Sequence, residues 1–139
     1  MGNYTFSFND KNYELSENNC EYFINDEENP INNIDTKTVL NILNGSNEVE
    51  FDVAYYEEPC SKCLNGVKEK EKVFRFLEYH FYIFTKDSNY VISDISSNYE
   101  GKSFNKLLKE KQVDNSYIVT ITVCRNCNVY YVEIEELSV

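Results

Sequence analysis

Four of the five cysteines in this chain fall in two Cys-x-x-Cys pairs, Cys60-Ser-Lys-Cys63 and Cys124-Arg-Asn-Cys127. No other feature constrains the fold as strongly. If both pairs hold one ion, two points far apart in the sequence must meet in space, and any arrangement that separates them is excluded. Four thiolates about 2.3 Å from a metal close a tetrahedron of the structural zinc type, with Cys60, Cys63, Cys124 and Cys127 as the ligands. Each pair also follows a strand-like run, where a hairpin turn would place it.

The surrounding pattern is rich in strand formers. Twelve Tyr and nine Phe with no Trp favour strands over helices. Val73 to Phe84 is dominated by aromatic and branched residues and reads as a strand; an amphipathic helix through Val73, Leu77, His80 and Phe84 is the competing reading. Tyr117–Val123 and Val129–Glu136 alternate and predict a hairpin with the second cysteine pair as its turn. Helices are expected over Thr36–Asn44, with Asp35 as N-cap and Gly45 as the stop, and over Phe104–Lys111, capped by Ser103.

The chain also reads as two related halves, 4–63 and 74–127. Phe8 to Ser16 and Phe84 to Ser93 both look like strand, polar turn and strand. A helix follows in each half, then a further strand (Glu48–Tyr56 or Tyr117–Val123), then a cysteine pair. Cys60 and Cys124 are separated by the same interval as Leu43 and Leu107. Two copies are a weak count for a repeat, but each half giving one pair would explain why the pairs come as two. The fold class expected is α+β: an antiparallel sheet with two short helices, in one domain over 1–139, its halves joined at the four-cysteine site.

The paired turns resemble those of zinc-ribbon and zinc-knuckle proteins, in which two such turns clamp one structural zinc. The resemblance covers the two turns and their flanking strands. It departs from the usual ribbon in the long insert between the pairs and in lacking Gly after Cys63. Asn128 suits the left-handed backbone needed after a second cysteine; Leu64 does not, although Gly66 lies close by. The length, the Asn- and Lys-rich make-up and the two pairs also resemble small uncharacterised clostridial proteins classed as a domain of unknown function. That likeness implies no activity.

Zinc has rivals. The same sulfur set accepts iron in a rubredoxin-like site. A dithiol redox pair usually opens a helix, whose dipole lowers the first thiol's pKa, whereas both pairs here look like turns between strands. Four sulfurs closing a tetrahedron leave no open position for water, which argues against metalloenzyme chemistry. Cys20 reads as a bystander, and His80, the sole histidine, as a satisfied side chain in or beside the core. Lys62 and Arg125, inside the turns, could offset the −2 charge of a zinc tetrathiolate. Metal bound this way contributes on the order of 10 kcal/mol to folding, so its loss should unfold much of the domain. No Gly-rich phosphate loop, nucleophile elbow or metalloprotease helix is present.

Charge narrows the partners. Thirteen basic residues against twenty-four acidic ones leave −11, which repels nucleic acid unless the cations cluster; Lys62, Lys68, Lys70, Lys72 and Arg75 do so near the first pair. A basic or neutral protein is the better partner, and an acidic immunity-type protein that neutralises a basic target is the main alternative. No apolar run could span a membrane, and Met1 to Phe6 form no secretory leader, so the expected location is the cytoplasm, where paired cysteines serve metals or redox more often than disulfides. The role expected is a zinc-stabilised module for protein contacts or regulation in preference to an enzyme, with a Cys-x-x-Cys dithiol redox protein as the other alternative.

Overall fold

The computed structural model describes residues 3–46 and 49–137. Eight strands and two α-helices follow in the order β1 (Tyr4–Phe8), β2 (Lys11–Leu15), β3 (Cys20–Ile24), α1 (Thr36–Asn44), β4 (Asp52–Tyr56), β5 (Phe74–Lys86), β6 (Asn89–Ser93), α2 (Phe104–Lys109), β7 (Asn115–Cys124) and β8 (Tyr130–Glu136). A single 3-10 turn, Ser97–Tyr99, precedes α2. The class is therefore α+β, mostly strand.

β1 and β2 form a separate antiparallel hairpin, and the other six strands build one sheet in the order β3-β8-β7-β5-β4, with β6 also paired to β5. The expected antiparallel sheet needs one correction: β3 runs parallel to β8, so the sheet is mixed. β3 lies in the Asn- and Glu-rich stretch between β2 and α1. The strand expected from Glu48 begins at Asp52, Glu48 itself lying outside the described residues. The stretch from Val73 is a strand and not a helix.

Both two-residue hairpin loops have the same chemistry. Asn9 and Asp10 join β1 to β2, and Asp87 and Ser88 join β5 to β6, all four with φ between 50° and 67°. Positive φ at both central positions matches the right-handed twist of the flanking strands. An order of strand, helix, strand and cysteine turn recurs among the described residues, but three strands precede the first helix and two the second, so β3 has no counterpart. The pairing does not repeat with it, because β7 pairs with β5 whereas β4, its counterpart by order, also pairs with β5 and not with β1.

The main core lies on one face of the sheet. Leu77, Phe81 and Ile83 of β5, Val119, Ile121 and Val123 of β7, and Val132 and Ile134 of β8 pack with Val39, Leu40, Ile42 and Leu43 of α1 and with Tyr13 and Leu15 of β2. Each such side chain contributes roughly 1.5–3 kcal/mol when fully buried. α1 starts where Asp35 Oδ1 accepts the Thr38 N–H at 2.9 Å, and its apolar positions fall on one stripe. The opposite face carries Glu78, His80 and Tyr82 of β5 with Thr120 and Thr122 of β7 in register. α2 covers only the far end of this face, where Phe84 stacks with Phe104 and Tyr99.

Candidate metal centre

Sheet topology brings the cysteine turns together. β4 and β7 both pair antiparallel with β5, one on each side, so they run in the same direction and end at the same edge of the sheet. They are two strand spacings apart, about 10 Å. Cys124 closes β7 opposite Phe76, while Cys60 follows the end of β4 after Glu57–Pro59. Turning inward over Phe76 and Val129, the two loops cover the gap and bury Cys60 and Cys124, each 3% exposed.

All four Sγ atoms lie within 4.8 Å of one another, with Cys60–Cys127 and Cys63–Cys124 each at 3.7 Å. A tetrahedron with arms of about 2.3 Å has edges of about 3.8 Å, so these crossed contacts match the spacing a zinc or iron ion would impose. The set could hold one metal ion, and its donor chemistry fits either.

The two turns share a local architecture. Leu64 N–H donates to the Cys60 carbonyl at 2.9 Å, and Asn128 N–H to the Cys124 carbonyl at 3.2 Å. Cys63 sulfur accepts the Asn65 N–H and Cys127 sulfur the Val129 N–H, two residues on in each case. The residue after each second cysteine is left-handed: Leu64 at φ 52° and Asn128 at φ 68°. The expectation that Leu64 would not take that conformation is therefore corrected. The shared hydrogen-bond geometry overrides the Cβ penalty, and Gly66, at φ 92°, serves a later bend.

The thiols are not alike. Burial pushes Cys124 up to about 12 despite N–H groups from Cys127 and Asn126, and burial also raises Cys127. Burial acts against ionisation of Cys63 too, but hydrogen bonds from the Asn126 side chain and Asn65 backbone outweigh it and bring that thiol down to about 7. Holding all four as thiolates requires a cation among them. Tyr131 supports the cluster from β8: its hydroxyl lies 3.1 Å from Cys60 Sγ and accepts the Ser61 N–H at 3.2 Å. Nothing in the cysteine spacing pointed to Tyr131; its place opposite Thr122 in the β7–β8 register carries it there.

The other singled-out residues lie elsewhere. Cys20 is half-buried on β3, its thiol facing the Tyr22 carbonyl at 3.3 Å and accepting from Thr36, with its pKa raised by burial. His80 is on the surface, not in the core. Its Nε2 lies 2.7 Å from Glu78 and its Nδ1 2.9 Å from Thr120, and the Tyr56 hydroxyl donates to the same Glu78 carboxylate. Lys62 is exposed, and Arg125 places its guanidinium over the Phe8 ring. Among the described residues no helix is long and apolar enough to cross a membrane.

The arrangement defines a mostly-strand α+β protein in which two hairpin-like turns assemble a four-cysteine cluster at one sheet edge. The chain belongs to the family described as "Protein of unknown function (DUF3785)", whose model matches residues 4–139. Neither the comparison with curated proteins nor that with solved structures returns a match.

Proposed function

We propose that Cys60, Cys63, Cys124 and Cys127 hold one structural zinc ion, and that the protein works through contacts with another protein in a reducing compartment, the cytoplasm. The pair of crossed 3.7 Å sulfur contacts carries the metal reading, because two S–H···S hydrogen bonds need only pairs of thiols, whereas all four sulfurs lie within 4.8 Å of one another, as around one ion. The ion clamps β4 to β7, and on this reading the halves 4–63 and 74–127 each supply one turn. A closed sulfur set gives a clamp and not a reagent, which favours a binding role over catalysis.

The open sheet face favours a basic protein partner. It exposes Tyr22 at 49% and Tyr82 at 40%, the aromatic type enriched at interfaces. Glu133 and Glu135 are successive residues of β8 on this face, and neither makes an ion pair among the described residues. Burial first, and then the neighbouring Glu135, raise the Glu133 pKa, as expected of carboxylates lacking a cation.

Elemental analysis of the purified protein tests the metal. About one zinc per chain is expected, lost in Cys60→Ser and Cys124→Ser, and Co(II) should give the intense visible bands of a tetrahedral thiolate site. Metal-free protein whose cysteines cycle as dithiols would overturn the reading in favour of redox chemistry.

A further inference from the structure

A cleft of about 740 Å³ opens beside the cysteine turns, a size that holds a small molecule. Its walls come from the tip of the β1–β2 hairpin, the adjoining ends of β4 and β5, and the two cysteine turns. Lys11, Arg75 and Arg125 all line it. In a chain with twenty-four acidic residues, none of these three cations makes an ion pair among the described residues. Against them the cleft lining sets only the two carboxylates of Glu69 and Glu71, and an excess of cations in a concavity raises the local concentration of anions.

Two of them are held by rings instead of counter-charges. Arg125 lies over Phe8 at 5.6 Å from the ring centre, and Lys11 over Tyr13 at 5.0 Å. Such contacts position a cation without neutralising it. Arg75 stands in register with Tyr55, whose ring is 61% exposed on the cleft wall. An exposed tyrosine beside a guanidinium is a stacking platform for a flat ring. Glu69 and Glu71 also line the cleft, and carboxylates accept hydrogen bonds from ring N–H groups. Compensation of the thiolate charge would account for a cation near sulfur. It accounts for neither the open volume nor the exposed ring of Tyr55.

We propose that this cleft binds a nucleoside monophosphate: a planar, N–H-bearing ring on the Tyr55 side with its phosphate taken by Lys11, Arg75 and Arg125. A single nucleotide fits the volume, whereas the −11 net charge opposes a polyphosphate strand. This inference does not depend on the metal reading.

The test uses the protein as purified, titrated calorimetrically with AMP, GMP, CMP and UMP, with their nucleosides and with a short oligonucleotide, while amide shifts are followed by NMR. At least one monophosphate should bind with Kd below about 1 mM, shift Tyr55, Arg75 and Arg125, and exceed its nucleoside by about tenfold. Tyr55→Ala and Arg75→Gln change exposed side chains and should each weaken binding about tenfold, leaving metal content and the unfolding midpoint unchanged. Absence of binding by all four monophosphates at about 1 mM would overturn the proposal. So would binding indifferent to both variants, shifts confined to another surface, or tighter binding of the oligonucleotide.

Discussion

Leu64 and Asn128 occupy equivalent places in the two cysteine turns, yet only one suits the work. A left-handed backbone costs a residue with a Cβ roughly 1–2 kcal/mol, and Asn tolerates it better than Leu. The Leu64 side chain is 53% exposed, so little packing is lost with it. Leu64→Gly should therefore raise stability, by roughly 1 kcal/mol at most once the freer unfolded chain is counted. Urea unfolding of the metal-bound protein reads this directly, and a lower midpoint would contradict it. Tyr131 offers a second test at this scale. Tyr131→Phe removes the hydroxyl beside Cys60 and the acceptor for Ser61 N–H while keeping the ring. Metal affinity should fall by about tenfold to a hundredfold, the usual effect of an outer partner, with the fold retained. Competition against a chromophoric chelator measures it.

At the scale of elements, α1 depends on its first turn. Asp35 accepts from both the backbone and the hydroxyl of Thr38, and these bonds hold its carboxyl below its ordinary pKa. Because the folded pKa is the lower one, the stabilisation from the charge is complete above the unfolded value of about 3.9 and disappears as pH falls through the folded value. Asp35→Ala should cost about 1 kcal/mol at pH 7, and less once the pH is below both pKa values, where the neutral carboxyl accepts more weakly. Denaturant midpoints of the two proteins should draw closer across that range. The same helix shows what a sequence makes legible. Its cap, apolar stripe and Gly45 stop are local signals, and the structure places it over the expected residues. The β7–β8 hairpin and the long β5 were legible for the same reason, as alternation and β-branching act over a few residues. β3 was not. Cys-Glu-Tyr-Phe-Ile does contain strand formers, but its pairing partner lies on β8 and no local pattern announces a parallel neighbour. The cysteines of the cluster were readable from their spacing, whereas Tyr131 and the cleft arise only from register.

Across the whole molecule, the two sets of contacts around β5 have different fates. The main core contains α1 and the centres of β5, β7 and β8, while the cysteines belong to a smaller cluster with Phe76 and Val129. Chelation should therefore act unevenly, in a sharper form of the collapse anticipated from the sequence. Amides of residues 57–73 should lose hydrogen-exchange protection first, while those at the centre of β7 keep most of theirs. Equal loss throughout would mean that the ion supports the entire sheet.

The parallel pairing of β3 with β8 has a consequence for synthesis. β3 emerges on the ribosome well before β8, but among the described strands it can add to the sheet only through β8. Until then its Tyr and Ile side chains and unpaired edge remain available to wrong neighbours. Closing so long a loop late is slow, and the nascent chain stays open to misassembly until β8 is made.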